Sequence, residues 1–264
     1  MKKITLLLLL VLSAVGANAQ QFVNFKIGYK PETTYKQTTV QSTKAEISYG
    51  GGMEPMVNEG KTTSATTIVT GKPVKGIYPF TLQMDFDKET QAAANMPEGT
   101  KLYGKIMPEG KLEVDSIQAP GMNEQMKDVL KGSMKAAAEQ NLLAEKKIKV
   151  GESHVVTTPL DLPMGPVTAH LDTKTTYKLK KIEGRKAYFD VDQVITMNSN
   201  IEGQDVKANG SGTGQMVYDI DQNFPVEYNN TTSMSLAFSA QGMDMNLKIT
   251  SIQSQTSIIS QTKK

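Results

Sequence analysis

The sequence predicts a mainly β protein: a long-stranded, curved antiparallel sheet, an open or half barrel, with one central α-helix packed on it. Three observations carry that expectation. Apolar residues alternate with polar or small ones at period two over long stretches, as in Tyr78, Phe80, Leu82, Met84 and Phe86. Short glycine-containing breaks separate the alternating runs. One segment alone, from Asn123 to Lys147, changes to the three-four spacing of a helix face.

Taken in order, the chain opens with the features of an export signal. Lys2 and Lys3 precede the apolar run Leu6 to Leu12, and Ala17-Asn18-Ala19 supplies the small-x-small pattern cut by signal peptidase. The run is shorter than the roughly 20 residues of a membrane span, so residues 1–19 are expected to be removed and the mature chain to begin at Gln20, with no transmembrane anchor. Residues 20–264 then read as a single β-rich domain, made of a β stretch (20–121), a helix (122–147) and a β meander (148–264). Within the first stretch, Gly50 through Gly60 reads as a loop between early strands, and Glu109-Gly110 as a hairpin turn.

The helix is expected over residues 123–147. Met126, Val129, Leu130, Met134, Ala137, Ala138 and Leu142 form its apolar stripe, Asn123 its cap, and Lys146 and Lys147 its last turn. The meander divides into five strands near residues 166–181, 186–199, 205–219, 226–240 and 243–259, with turns at Glu183-Gly184, Asp221-Gln222-Asn223 and Gln241-Gly242. Fourteen residues at about 3.3 Å each span on the order of 45 Å, so such strands must twist and bend around a core. In the last of them Met243, Met245, Leu247 and Ile249 hold one phase, and Ile252 and Ile258 the other, which predicts a β-bulge.

Composition excludes several function classes. The chain has 29 basic and 27 acidic residues, and Lys2 and Lys3 account for the difference. A mature chain of near-zero net charge argues against nucleic acid or an acidic membrane as partner. With no Cys there is neither disulfide framework nor thiol chemistry, and with no Trp and 6% aromatics there is little for stacking bases or sugars. The 15 methionines are the compositional excess.

Short motifs do not add up to a catalytic or metal centre. His154 and His170 are the only imidazoles, too few for a zinc site without Cys, and no HExxH pair, GxSxG elbow or SxxK is present. Gly210-Ser211-Gly212-Thr213-Gly214 is followed by Met216-Val217-Tyr218, which reads as strand, so it predicts a bent strand rather than a phosphate loop. Met53, Met56, Met243 and Met245 have the spacing of soft-metal thioether ligands, but Met243 and Met245 also simply share one face of a strand. Asp115-Ser116-Ile117 has the form of a bacterial O-glycosylation acceptor.

The order of parts resembles a family of uncharacterised exported bacterial β-rich proteins, a domain of unknown function. The resembling stretches are Tyr35-Lys36-Gln37, the central helix, Ile148-Lys149-Val150-Gly151-Glu152-Ser153, Thr176 through Ile182, and the strand from Gly210 to Gly214. A Trp usually follows the Val-Gly-Asp/Glu-Ser step in that family, whereas His154 stands there in this chain. The resemblance implies export and a β-rich fold, and no activity.

These readings favour a non-catalytic envelope protein, periplasmic or extracellular, with no cofactor and no metal. Its ligand is expected to be a lipid or other hydrophobic molecule, held on an apolar face formed by Met126, Leu130, Met134, Met234, Leu236, Phe238, Met245 and Leu247. The alternatives are a structural module binding an envelope protein partner without a small-molecule ligand and, third, a hydrolase.

Overall fold

A computed structural model describes residues 21–49, 54–87, 97, 99–124, 127–128, 131, 145–164, 167–201, 204–240 and 243–262. Their architecture is two antiparallel sheets. The large one has 11 strands: β2 (Thr33–Tyr49), β3 (Met56–Thr70), β4 (Tyr78–Phe86), β5 (Lys101–Ile106), β6 (Leu112–Gln118), β8 (Ser153–Met164), β9 (Val167–Glu183), β10 (Lys186–Ile201), β11 (Gln204–Asp219), β12 (Phe224–Ala240) and β13 (Met243–Gln261). Its spatial order is β6-β5-β4-β3-β2-β13-β12-β11-β10-β9-β8, so two meanders meet where the last strand pairs with β2. The sheet does not close, and β6 and β8 are its edges. The small sheet is a ribbon of β1 (Phe22–Phe25) and β7 (Lys146–Lys149).

Turn chemistry sets these boundaries. Gly110 and Gly184 take positive φ at the β5–β6 and β9–β10 hairpins, a conformation open to glycine, and Asn223 does so before β12. Three register shifts leave Asp115, Lys180 and Val226 without a partner at one position each of β6, β9 and β12. Those bulges add twist to strands that are otherwise long and continuous.

The ribbon shows which face is inner. Val23, Phe25 and Ile148 are buried against Leu179, Phe189, Val191, Met216 and Tyr218 of β9, β10 and β11. The Phe25 ring centroid lies 4.9 Å from that of Phe189 and 5.3 Å from that of Tyr218, whose hydroxyl donates to Lys26 O at 2.7 Å. Burying one such apolar side chain contributes about 1.5–3 kcal/mol, so the ribbon is pinned to that end of the face. A second core spans the β13–β2 junction, where Tyr35 of β2, Ile68 of β3 and Phe224 of β12 pack together and Phe80, Ile106 and Leu112 continue it. Phe80 stands opposite Gly104 in the register and covers it.

Curvature comes from glycine. Gly210, Gly212 and Gly214 occupy successive inner positions of β11, where Asn230 of β12 reaches Gln193 of β10 across the strand; Cα atoms of β10 and β12 also come within 8 Å of each other. Two strand spacings in a flat sheet amount to roughly 9.5 Å, so the sheet is bent across β11. The glycine run is thus a bent strand.

Three expectations are corrected. No helix is found among the described residues as an element. Helical backbone occurs at Glu124, Lys127, Asp128 and Lys131, with Lys127 N–H donating to Asn123 O at 3.1 Å, while 125–126, 129–130 and 132–144 lie outside the described residues. The helix also cannot run to Lys147, because Lys146–Lys149 is β7: buried Ile148 faces the core beside Val23, and the strand pairs with β1. The loop expected up to Gly60 is shorter, because Met56–Thr70 already pairs with β2, Gly60 opposite Thr43. The expected bulge in β13 is absent: its register against β12 and β2 is unbroken, odd-numbered residues face inward throughout, and Ile252 and Ile258 are exposed on the outer face.

Candidate ligand-binding face

Cross-strand partners lie on the same face of a sheet, so the register maps the inner face row by row. One row reads Leu171, Met197, Ala208, Leu236, Leu247 and Ile47 across β9, β10, β11, β12, β13 and β2. The next reads Thr173, Ile195, Gly210, Met234, Ile249 and Ala45. Together they make an aliphatic band: Leu171, Met197 and Ala208 are buried, with Ile195, Met234 and Leu236 half-buried against them. Leu247, Ile249, Ala45 and Ile47 continue it half-buried onto β13 and β2.

Beyond this band the chemistry changes. The following row is Thr175, Gln193, Gly212, Thr232, Ser251 and Thr43, and the one after it runs Asn230, Gln253, Gln41 and Thr62 over β12, β13, β2 and β3. Then follow Gln255, Thr39 and Ser64, and finally Ser257, Gln37 and Thr66. Every side chain in this field of β13, β2 and β3 is a neutral hydroxyl or amide. The outer faces of the same strands carry Lys44, Glu46, Glu59, Lys61 and Lys248, with Lys44 Nζ 2.9 Å from Glu46 and 3.9 Å from Glu59.

The neutral field is tied together by hydrogen bonds. Asn230 Nδ2 donates to Gln193 Oε1 at 2.7 Å and to Thr232 Oγ1 at 3.0 Å, reaching over β11 where Gly212 has no side chain to intervene. Gln41 Nε2 donates to Ser251 Oγ at 2.9 Å. Within this field two fully buried side-chain oxygens, Asn230 Oδ1 and Ser257 Oγ, have no hydrogen-bond partner among the described residues.

Of the residues expected to line a ligand site, Met234, Leu236, Met245 and Leu247 come together on this face, as Leu236 opposite Leu247 and Met234 opposite Ile249. Phe238 stands opposite Met245 in the register, but its side chain lies outside the described residues. Met126, Leu130 and Met134 also lie outside them. The neutral field was not anticipated. Its signal was available in Ser251, Gln253, Gln255 and Ser257, which keep the inward phase of Met245 and Leu247.

Two cavities formed by described residues lie elsewhere. One of about 730 Å³ is on the outer face between Lys44, Glu46, Glu59, Lys61, Lys248 and Ile252. The other, of about 770 Å³, lies where the start of β2 and the end of β13 meet the β11–β12 turn, among Lys30, Glu32, Gln222, Ile259 and Thr262. His154 sits on the inner side of edge strand β8, half-buried, its ring edge-on to Phe25 at 6.4 Å. Burial, and secondarily the charge of Lys146, push its pKa below the usual 6.5. The His170 side chain lies outside the described residues. Among the described residues there is no cluster of three metal-ligating His, Cys, Asp or Glu side chains, and no helix long and apolar enough to cross a membrane.

The class defined here is an open, long-stranded antiparallel sheet whose inner face is part aliphatic and part neutral-polar. Residues 100–224 match the model of a Family of unknown function (DUF6263). The match takes in Ile148 through Ser153, Thr176 through Ile182 and the β11 glycines, in agreement with the resemblance read from the sequence. Comparison with curated proteins gives no match. Among solved structures, the attachment invasion locus protein Ail of Yersinia pestis aligns over 84% of this chain and 97% of its own, at 4% identity and a TM-score of 0.18. A likeness that low carries no argument.

Proposed function

We propose that this is an exported, non-catalytic envelope protein that holds a hydrophobic ligand, such as an acyl chain, on the aliphatic band of its inner face. The observation that carries the reading is the band itself: Met234, Leu236, Leu247 and Ile249 form a continuous half-buried aliphatic surface across two adjacent strands. Apolar area left partly open on a curved sheet gains on the order of 25 cal/mol per Å² when a ligand covers it. Export rests on the leader-like residues 1–19. The outer wall does not suit lipid: Lys44, Glu46, Asn229, Thr231 and Lys248 occupy it, where a membrane barrel presents an apolar band about 25 Å tall.

The second reading, a module that binds an envelope protein, finds support in the two open sheet edges. Pro159 and Pro163 within β8 weaken it, because they remove donors an added strand would use.

Titration with a fluorescent fatty acid tests the first reading. Saturable uptake is expected, and Leu236→Trp should abolish it while the melting temperature stays within a few degrees, since Leu236 is only half-buried. A folded wild-type protein that takes up no fatty acid or other alkyl ligand would overturn it.

A further inference from the structure

We infer that the ligand is an amphiphile with an uncharged head that both donates and accepts hydrogen bonds, a sugar or other polyol, seated on the neutral field while its chain lies on the aliphatic band. This rests on the ligand-holding reading above. The first observation is the juxtaposition. Met234 and Asn230 are four residues apart on β12, as are Ile249 and Gln253 on β13, so chain and head surfaces are separated by about 13 Å along one wall. An alkyl chain joined to a single head group spans that distance.

The second observation is the absence of charge. Over four consecutive rows the inner face of β13, β2 and β3 carries only hydroxyls, amides and Gly60, although ionic side chains are plentiful on the reverse of the same strands. A phosphate or carboxylate head would be desolvated there without a counter-charge, which is costly. The third is polarity of another kind. Asn230 is only 7% exposed, its amide N–H groups are used on Gln193 and Thr232, and its Oδ1 has no partner. The groups left open to a ligand are the exposed or half-buried amides and hydroxyls of Gln41, Thr62, Gln253 and Gln255. Hydroxyls both donate and accept, and so match a field of Gln, Asn, Ser and Thr better than an anion, which only accepts.

Isothermal titration with dodecyl maltoside and dodecanoate, both below micelle formation, and with maltose alone tests the inference. Dodecyl maltoside is expected to bind about tenfold more tightly than dodecanoate, and maltose far more weakly than either. Gln253→Leu, in the row of the head group, should lower affinity for dodecyl maltoside about fivefold and leave dodecanoate unchanged. Should that variant fold poorly, Gln41→Leu, at an exposed position of the same row, should give a twofold or larger loss of the same selectivity. Equal binding of the two alkyl ligands, or an unchanged preference in the folded variants, would overturn the head-group inference and leave the hydrophobic reading standing. Maltose binding as tightly as dodecyl maltoside would overturn the amphiphile. Binding of none of the three would overturn both.

Discussion

Two glycines on one face of one strand should respond very differently to the same substitution. A Cβ added at Gly214 would lie 2.2 Å from Asn229 O and 3.0 Å from Asn230 Cα, both backbone atoms of β12. Carbon contacts are optimal at about 3.5–4.0 Å, so Gly214→Ala must push β12 away by roughly 1 Å and stretch the ladder. Overpacking of that kind costs about 3 kcal/mol, the upper part of its usual range. A Cβ at Gly212 meets Gln193 Oε1 at 3.1 Å and Thr231 O and Thr232 Oγ1 at 3.2 Å, contacts relieved by a few tenths of an ångström. Against that small strain, replacing a strand glycine by Ala gains about 0.5–1 kcal/mol, so Gly212→Ala should be near neutral. In urea, with m of about 2–3 kcal/mol/M, the two midpoints should differ by roughly 1 M at unchanged m. Coincident midpoints would refute the view that β11 is glycine-rich because β12 crowds it.

Other consequences follow from single contacts. Phe25→Ala should cost about 3–5 kcal/mol, because Phe25 is fully buried among Tyr177, Phe189 and Tyr218. Lys147→Ala, which removes an exposed cation over the Phe22 ring at 3.6 Å, should cost about 1 kcal/mol or less in the same melts. His154 has a folded pKa below its ordinary 6.5, so its contribution to stability is complete above that pH and is lost as pH falls through 6.5 to the folded value. Melting temperatures at pH 7.5, 6 and 5 should therefore fall less steeply for His154→Gln than for the wild type, and parallel curves would contradict this. Burial lifts the Tyr29 and Tyr218 hydroxyls from 10.0 to about 12. Their contribution is complete below pH 10 and lost between 10 and 12, so ultraviolet titration should show late-ionising tyrosines together with alkaline unfolding.

Much of the sheet was legible because a strand's period of two is strict. The five C-terminal strands were expected within a few residues of β9 through β13, and the turn residues Gly110, Gly184 and Asn223 mark three of the actual reversals. The ribbon was not legible. Phe22–Phe25 is four residues long and pairs with a segment more than 120 positions away, and nothing local announces such a contact. Its partner Lys146–Lys149 was absorbed into a helix end because two lysines suit a helix C-terminus as well as they suit a strand. The β13 error has a different cause. Hydrophobic phase marks the inner face only where that face is apolar, so exposed Ile252 and Ile258 mimic a shifted register. The register is continuous, and it is the inner face that turns polar at Ser251. The shared face of Met234, Leu236 and Leu247 was therefore legible from their alternation. The neutral field was missed because Gln and Ser at inward positions violate the rule used to find them.

Photo-cross-linking tests most directly whether the inner face is the ligand surface. A diazirine-bearing alkyl glucoside, irradiated with the purified protein and mapped by peptide mass spectrometry, should label β12 and β13 at inner positions such as Met234, Leu236, Leu247 and Ile249, and Leu236→Trp should remove the adducts. Labelling concentrated instead on the outer depression between Lys44, Glu59, Lys61 and Lys248 would contradict the account.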